Sequence, residues 1–393
     1  MGSVISAIAR TPMGRFGGTL ASQSAVDLGA AAMRGALQRS GVDPETISEI
    51  LFGHVIQAGT GQITARQAGK AAGIPMTIPS TVINKVCLSG MTAIAYADRD
   101  IRFGDATFVM AGGMESMSSA PYLLPKARWG MRMGDGAVVD SMNHDGLFCS
   151  FDHCMMGASS DAKSAVLGIS RAEQDEWAAE SHRRAAAAAE SGHFAREITP
   201  MSIPQRKGDP IEMSADEGIR PDSTADGLAR LRPAFGADGT VTAGNASQIS
   251  DGAAAVLVAD RAAAEAAGLP ILAEVVSYGQ VGGPDATLHE RPAEALRIAL
   301  KKAGMAVSDL DLVEINEAFA AVALWSARML DLPHDKVNVH GGAVALGHPL
   351  GASGARIVVT LINALRAAGG GVGAAALCGG GGQGDALVLE VAG

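Results

Sequence analysis

Apolar residues recur along the chain with two different periods, and these periods predict alternating helices and strands. From Asp27 to Ser40 they fall at helical spacing, and Gly41 directly after them is typical of a helix C-cap. Continuous apolar runs at Ile47–Val55 and Ala106–Gly113 instead predict buried strands, the second one ended by its glycines. Such an alternation indicates an α/β fold, in which helices cover the faces of a sheet.

The second part of the chain repeats the pattern of the first. The segment Ala36–Val55 aligns without gaps with Ala299–Ala318, and both contain a helix end, a glycine and a strand. Further along, Cys87–Ala97 corresponds to Leu350–Thr360, and in both a small turn with Ser and Gly leads into a helix. These repeats lie too far apart to be units of a solenoid. They predict a duplicated α/β domain whose two similar halves face each other.

Between the repeats lies a segment of different composition, from about Pro121 to Ala246. It is richer in Met, Pro and charged residues, and it is not repeated. One strong helix is predicted within it, Ser170–Gly192, where Ser170 and Glu173 form a capping box and Gly192 ends the helix. An unrepeated segment of this length indicates an insertion that forms a lid or a ligand platform.

Composition narrows the class of protein. The 393 residues are 48% hydrophobic and 18% charged, so a large core is available and disorder is not expected. The net charge of −10 and the 4% aromatic content argue against a nucleic-acid partner. No signal peptide or membrane-spanning apolar run is visible, so we expect a soluble cytoplasmic protein. The four cysteines form no CxxC pair, and no metal site is predicted.

Cys87, in the stretch VINKVCLSGMTAIAYA, has two interpretations. It is either a small core residue or a nucleophile at the N-terminus of a helix that starts at Leu88–Gly90. In the second case the helix dipole and unpaired N–H groups would lower the pKa of the thiol. His348, held extended by Pro349 in a small-residue turn between a strand and a helix, occupies the matching place in the second half. If a pseudo-twofold axis relates the halves, the turns converge, and His348 is the base for Cys87.

Other interpretations stay open at this point. His348 is equally compatible with a structural role in its turn. Cys378 precedes Gly379–Gly382, whose N–H groups suit an oxyanion hole, but it also fits a core cysteine at a strand end. Asn316 ends the strand of the repeat. It either orients a water or a carbonyl group, caps a helix that begins near Ala318, or does both.

Six segments follow one another in order along the chain. They are NKVCLSG, AGGMESMS, TVTAGNASQISDGAAA, EINEAFAA, NVHGGAVALGHPLGASGAR and LCGGGGQGDA. Together, and at this spacing, they closely resemble the thiolase family over nearly the whole chain. The resemblance implies the thiolase fold, an α/β fold of two duplicated βαβ-type halves in five α-β-α-β-α layers, with a loop domain inserted in the first half.

The resemblance also implies a division of the chain and its partners. Residues 1–120, completed by about 247–270, would form the N-terminal half. Residues 121–246 would form the inserted loop domain that binds coenzyme A (CoA), and residues 271–393 the C-terminal half. The expected partners are acyl-CoA and CoA, with no nucleic acid and no membrane. A homo-oligomer is expected, namely a dimer of dimers (a homotetramer).

Roles for five residues follow from the resemblance. The residue matching Cys87 takes the acyl group from acyl-CoA, and the residue matching His348 is its base. The residue matching Cys378 removes a proton from the α-carbon of acetyl-CoA. The Asn316 position holds a water that, with His348, stabilises the enolate oxygen, while the N–H groups of Cys87 and Gly380 form the other oxyanion hole. These roles imply ping-pong acyl transfer with CoA as carrier and substrate, and with no metal or tightly bound cofactor.

Substrate contacts are implied at a second group of positions. By similarity, CoA would be held by Leu147, Arg220, Phe235, Ala243, Ser247, Ile249 and Phe319. The acyl pocket would contain Met155, Met156 and Leu288. In this pocket a Met replaces the His that biosynthetic thiolases often carry, and Leu288 stands in the position of a Met.

These departures leave the acyl chain open. The first expectation is the reversible condensation of two acetyl-CoA to acetoacetyl-CoA plus CoA. The alternative is the degradation of longer or branched 3-ketoacyl-CoA in fatty-acid β-oxidation. A ketoacyl-ACP synthase is disfavoured, because such enzymes generate their carbon nucleophile by decarboxylation and need no second thiol like Cys378.

Overall fold

The computed structural model describes residues 2–393, so Met1, the first residue of the expected N-terminal half, lies outside it. Up to residue 116 strands and helices alternate. Helix α1 begins at a capping box between Ser24 and Asp27 and ends at Gly41, whose φ of 71° closes the last turn. The elements are β1 (Ser3–Arg10), β2 (Gly14–Arg15), α1 (Ala25–Ser40), β3 (Glu49–Gly53), α2 (Thr64–Ala72), β4 (Ser80–Ile83), α3 (Ser89–Phe103) and β5 (Phe108–Ser116).

The segment after β5 contains short strand pairs and three helices before the chain returns to the large sheet. Its longest helix has the predicted capping box between Ser170 and Glu173, which confirms the predicted start. The elements are β6 (Tyr122–Leu123), β7 (Val139–Asp140), a π-helical turn (Met142–Leu147), β8 (Phe148–Cys149), β9 (Cys154–Met155), α4 (Met156–Leu167), α5 (Arg171–Glu190), β10 (Met201–Ile203), β11 (Ile211–Met213) and α6 (Ala225–Leu228).

The remaining third of the chain completes the first half and forms the second. None of the helices in residues 2–393 combines the length and the apolar character that crossing a membrane requires. The elements are β12 (Ser250–Asp260), α7 (Arg261–Ala266), β13 (Ala273–Gly282), α8 (Arg291–Ala303), β14 (Leu312–Ile315), α9 (Ala320–Met329), α10 (Ala343–Leu346), α11 (Leu350–Ala368), β15 (Gly371–Gly379) and β16 (Gln383–Val391).

The two halves have the same sheet topology. In the first half the strand order is β4-β3-β5-β12-β1, and in the second it is β14-β15-β16-β13, joined to the first through β1 and β13. A parallel bridge between Val313 and Val337 takes the place that β4 has beside β3. In both halves the strands that contain the repeat run parallel, and the later strands run antiparallel. The predicted duplication is therefore confirmed in the fold.

The buried apolar residues between the layers form three large clusters, one under each outer helix layer and one around the two central helices. Helices α1 and α2 cover the outer face of the first sheet half, and α8 and α9 cover the outer face of the second. Helices α3 and α11 pack together between the two sheet halves, with Ile94 and Ile357 among their buried residues. The layers run α-β-α-β-α, as predicted. Both central helices begin at the turns that the sequence singled out, so the fold brings those turns together.

One predicted strand end was wrong. Strand β5 does not stop at its glycines but continues through Gly112 and Gly113 to Ser116. A Cβ atom on Gly113 would lie 1.9 Å from the carbonyl oxygen of Gly351 at the start of α11. These glycines therefore allow a helix to approach the middle of a strand, which is another use of glycine than ending a strand.

Candidate active site

The turn before α3 places Cys87 at the N-terminus of that helix. Val86 has a left-handed φ of 51°, which turns the chain sharply between β4 and α3. The main-chain N–H of Lys85 donates to the Ser89 hydroxyl at 2.8 Å, and this hydroxyl donates to the Val86 carbonyl at 2.6 Å. These two hydrogen bonds close the turn. Helix α3 begins at Ser89, so the predicted helix start is confirmed, and Cys87 is 8% exposed.

His348 reaches Cys87 from the matching turn of the second half. Its Nε2 lies 3.3 Å from the Cys87 sulfur, a hydrogen-bond distance for a thiol. The His348 nitrogen on the main chain donates to the Gln248 carbonyl, which fixes the turn. The turn follows the short helix α10 rather than a strand, which corrects that detail of the prediction. The convergence of the two turns, expected from the repeat, is observed.

A serine that the sequence reasoning missed orients the imidazole. The Ser353 hydroxyl donates to the Pro349 carbonyl at 2.9 Å and lies 2.6 Å from His348 Nδ1. With its proton on the carbonyl, this hydroxyl accepts from Nδ1–H. Nε2 then has its lone pair toward the Cys87 thiol, as a base requires. The available signal was a serine five residues after the histidine, in the first turn of α11.

Burial keeps both members of this pair neutral at rest. It raises the pKa of Cys87 to about 12, although the N–H groups of Gly380 and Cys87 itself lower it. Burial and the Arg356 guanidinium lower the pKa of His348 to about 3. The prediction of a lowered thiol pKa was therefore wrong, because loss of water outweighs the helix N-terminus here.

Cys378 and the following glycines lie beside Cys87. Cys378 is fully buried near the end of β15. Burial and then the electrostatic coupling to the nearby Cys87 thiol raise its pKa well above the ordinary value. After the strand the chain turns back through Gly380 to Gly382, with a φ of 70° at the last. The backbone N–H groups of Gly380 and of Cys87 itself both lower the pKa of the Cys87 thiol, so the two N–H groups expected to form the oxyanion hole lie near the reacting sulfur.

Asn316 completes the group from the end of β14. It is fully buried, and its Nδ2 lies 3.4 Å from His348 Nδ1. Its Oδ1 accepts from Arg356 at 3.5 Å, and Arg356 in turn pairs with Glu314 at 3.4 Å. The alternative of a helix N-cap was wrong, because α9 begins only at Ala320, after Phe319. The side chain is oriented toward the imidazole.

An open cleft of about 510 Å³ leads along the inserted segment. Its lining contains every residue expected to contact CoA, together with Met155 and Met156. Arg15, Phe16 and Asn143 also line it and were not anticipated, because no repeat or motif marks them. Residues 2–393 contain no group of three or more His, Cys, Asp or Glu side chains arranged as metal ligands. The expected CoA residues are Leu147, Arg220, Phe235, Ala243, Ser247, Ile249 and Phe319.

Leu288 lies in an apolar cluster around Cys378 rather than in the cleft lining. It is 5% exposed and is packed with Cys378 and Phe319, and Met156 packs against the same cluster. Met155 remains at the cleft. The cluster therefore places Leu288 and Met156 around Cys378.

Two family models match the chain in succession. The thiolase N-terminal domain matches residues 3–262, and the thiolase C-terminal domain matches residues 269–391. The chain belongs to the thiolase family. It is therefore an acyltransferase enzyme with the thiolase fold.

Individual thiolases are similar over their whole length. A probable acetyl-CoA acetyltransferase of Mycolicibacterium smegmatis is 54% identical over 387 residues, which is 98% of this chain and 100% of that protein. The crystal structure of the Bacillus anthracis acetyl-CoA acetyltransferase superimposes with a TM-score of 0.97 at 43% identity, covering 99% of this chain and 98% of that one. Human mitochondrial 3-ketoacyl-CoA thiolase gives 0.96 at 38% identity, with 100% and 99% covered.

Proposed function

We propose that this thiolase is an acetyl-CoA C-acetyltransferase that condenses two acetyl-CoA to acetoacetyl-CoA and CoA, reversibly and by a ping-pong mechanism. The observation that carries the proposal is the 3.3 Å contact between His348 Nε2 and the Cys87 sulfur, with the Cys378 thiol buried beside them. One thiol suffices for acyl transfer to sulfur. A second thiol next to it suits the formation of a carbon–carbon bond, which needs a separate base for the α-carbon.

In the first half-reaction the Cys87 sulfur attacks the thioester carbonyl of acetyl-CoA and gives its proton to His348 Nε2. The carbonyl oxygen becomes an oxyanion, which the N–H groups of Cys87 and Gly380 stabilise. When the bond to CoA sulfur breaks, Cys378 donates its proton to the leaving thiolate. The products are free CoA, acetyl-Cys87 and an ion pair of Cys378 thiolate with imidazolium.

The second half-reaction uses that ion pair. The Cys378 thiolate removes a proton from the methyl group of a second acetyl-CoA. The enolate oxygen accepts from Nε2–H of His348 and from a water held by Asn316. The enolate carbon then attacks acetyl-Cys87, and acetoacetyl-CoA forms as the Cys87 thiolate leaves. The imidazolium returns its proton to Cys87, so all three groups end as they began.

A 3-ketoacyl-CoA thiolase acting on longer chains is the second candidate. It is favoured by Met155, which stands in the pocket position where biosynthetic thiolases often have His, and by the similarity to the human 3-ketoacyl-CoA thiolase. The two candidates differ in the length of the acyl chain that the pocket must hold. Pocket contacts of this kind change the activation free energy by about 1–3 kcal/mol per methylene group.

A chain-length series decides between them. We expect the wild-type enzyme to cleave acetoacetyl-CoA with a higher kcat/KM than a medium-chain 3-ketoacyl-CoA. Replacing Leu288 with Ala should open the cluster around Cys378 and raise the relative kcat/KM for the medium chain by about 10-fold. Leu300→Ala, another buried leucine but in the outer core of the second half, should leave this ratio unchanged. Faster cleavage of the medium chain by the wild type would reject acetyl specificity.

Loss of the Ser353 hydroxyl should slow the chemistry without weakening binding. In Ser353→Ala the Nδ1–H of His348 loses its acceptor, and the tautomer with Nε2 as base is no longer favoured. We expect kcat to fall by roughly 100-fold, the lower end of what general acid–base catalysis contributes, with KM for acetoacetyl-CoA unchanged. Ser353→Thr, which keeps the hydroxyl, should restore most of kcat. An equal fall in both variants would assign Ser353 a packing role only.

Assembly into a homotetramer remains a proposal that the surface supports. Strand β4 is the last strand of its sheet half among the described residues, and it is only partly buried. Large apolar side chains are also exposed in the inserted segment, such as Trp129 at 81% and Met133 at 95%. Light scattering of the purified protein tests this proposal, since a monomeric mass would contradict it.

The cytoplasmic location likewise stays a prediction, which imaging of a fluorescently tagged chain in cells would test.

A further inference from the structure

The hairpin β8–β9 contains two cysteines that the proposed reaction does not use. In its antiparallel register Cys149 lies directly opposite Cys154, and Ser150–His153 form the connecting loop. Both cysteines are free thiols. Cys149 is buried, whereas Cys154 is partly exposed and accessible to small reagents. Thiols that are oxidised reversibly are often solvent-accessible and lie next to a second, resolving cysteine.

Direct cross-strand pairing suits a disulfide. Opposite residues in an antiparallel pair have Cα atoms about 4.5–5.5 Å apart, and disulfides span about 4.4–6.8 Å. Side chains of such a pair also lie on the same face of the ladder. Their Cβ atoms must nevertheless draw together by about 1 Å for a bond to form. Oxidation would therefore tighten this hairpin rather than leave it unchanged.

The hairpin lies against the cleft on one side and the active-site glycines on the other. Leu147, directly before β8, and Met155, in β9, both line the CoA cleft. At its tip, Phe151 covers Gly381, since a Cβ atom on that glycine would lie 3.0 Å from the aromatic ring. Gly381 follows Gly380, whose backbone N–H lowers the pKa of the Cys87 thiol. A change in the conformation of the hairpin would therefore move residues that lie where CoA and the acyl group are expected to bind.

We propose that Cys149 and Cys154 are a reversible dithiol whose oxidation to an intramolecular disulfide weakens CoA binding in the cleft. With hydrogen peroxide as oxidant, Cys154 loses its thiol proton to solvent and its sulfur attacks one peroxide oxygen. The O–O bond breaks, and the departing hydroxide takes up a proton, so that a sulfenic acid and water form. The Cys149 thiol then attacks the Cys154 sulfur, and the S–O bond breaks. Its hydroxyl leaves with the Cys149 proton as a second water, so the two thiols have supplied both electrons.

Local contacts define which thiol reacts first. The Asp152 N–H donates to the Cys149 sulfur at 3.3 Å, which holds that thiol inside the hairpin. Desolvation, the Asp152 carboxylate and the neighbouring Cys149 raise the pKa of Cys154, so that its resting form is the thiol. Cys154 is the more exposed member, and it meets the oxidant, while Cys149 resolves the sulfenic acid.

Peptide mapping tests the disulfide independently of activity. Trypsin cleaves after Arg132 and Lys163 and leaves both cysteines on one peptide, separate from Cys87 and Cys378. After hydrogen peroxide and alkylation, we expect this peptide to be unalkylated and lighter by two hydrogen atoms than the reduced peptide. Dithiothreitol should restore alkylation at both cysteines. A peptide that stays fully alkylated at peroxide concentrations that oxidise Cys87 would overturn the proposal.

The effect on the cleft is read from kinetics, and this readout rests on the proposed acyl transfer. In the oxidised wild type we expect KM for CoA in thiolysis to rise on the order of 10-fold, the effect of a contact about one methylene in size, and to recover with dithiothreitol. Cys154→Ser and Cys149→Ala should not show this rise in KM. An equal loss of activity in the wild type and in both variants would instead mean that the peroxide has oxidised the catalytic thiols. A disulfide without a change in KM, or the same rise in Cys154→Ser, would refute the coupling to the cleft. An enzyme inactive on acyl-CoA would refute the proposed function, while the peptide map would still decide the disulfide.

Discussion

A Cys87→Ala enzyme is expected to lose acyl transfer by at least about 10,000-fold, because the acyl group then has no sulfur to occupy. No other thiol in the site is positioned to act as the nucleophile instead of Cys87. Cys378 lies beside Cys87, but the contact of His348 Nε2 is with the Cys87 sulfur, at 3.3 Å. The backbone N–H of Gly380 likewise acts on Cys87, since it lowers the pKa of that thiol. A substrate carbonyl bound for attack by Cys378 would therefore lack both its base and one donor to its oxyanion.

Two measurements check this result. Thiolysis of acetoacetyl-CoA is followed by the loss of its ultraviolet absorbance, and the acetyl-enzyme is detected by intact-protein mass spectrometry after mixing with acetyl-CoA. Cys154→Ser is the matched control, since it removes a thiol from the same protein outside the catalytic group, and under reducing conditions it should form the acetyl-enzyme like the wild type. Acyl transfer by Cys87→Ala at a substantial fraction of the wild-type rate would refute the mechanism.

The fold was predictable to a large extent because the chain contains its pattern twice. The alignment of Ala36–Val55 with Ala299–Ala318 predicted equivalent strands, and β3 and β14 occupy equivalent places in the sheet. Helix ends were predicted well where a side chain or a glycine caps them, as at Ser170. Gly112 was misread because its function depends on the strand beside it, where a Cβ atom would lie 2.1 Å from the Ala254 carbonyl oxygen. Such a contact between distant segments has no local signature.

The chemical environment of the site was less predictable than its members. A helix N-terminus lowers a thiol pKa whereas desolvation raises it, and at Cys87 desolvation has the larger effect. Which groups bury it depends on the packing of both halves. Ser353 was missed for a similar reason, because its effect on His348 depends on the donation of its hydroxyl to Pro349. Motifs identified the reacting groups, whereas their protonation follows from tertiary structure.

A buried carboxylate keeps the two halves in register at this site. Glu115, in β5 of the first half, accepts from the N–H groups of Val55 and Ile56, each at 3.1 Å. It also accepts from the N–H of Gly351, in the first turn of α11, at 2.9 Å. The helix that follows His348 is thus tied to the half that holds Cys87. A distance of 3.3 Å between the two side chains requires this kind of fixed contact.

Replacing Cys378 with Ala is expected to separate the two half-reactions. Without its thiolate no group removes the methyl proton of the second acetyl-CoA, so condensation and thiolysis should fall by at least about 1,000-fold. Formation of acetyl-Cys87 should fall much less. His348 still accepts the Cys87 proton, and the leaving CoA thiolate is stable because thiols have a pKa of about 8.5. The variant should therefore accumulate an acetyl-enzyme that turns over very slowly.

The separation is measured with two partial reactions on the same preparation. Intact-protein mass spectrometry should show the acetyl-enzyme in Cys378→Ala, whereas exchange of the acetyl-CoA methyl protons in D₂O, followed by NMR, should be lost. Cys149→Ala, a buried cysteine in the hairpin, is the control for removing a thiol from the interior. If Cys378→Ala, like Cys87→Ala, forms no acetyl-enzyme, then Cys378 acts mainly in the first half-reaction. If it retains methyl exchange, another group is the base.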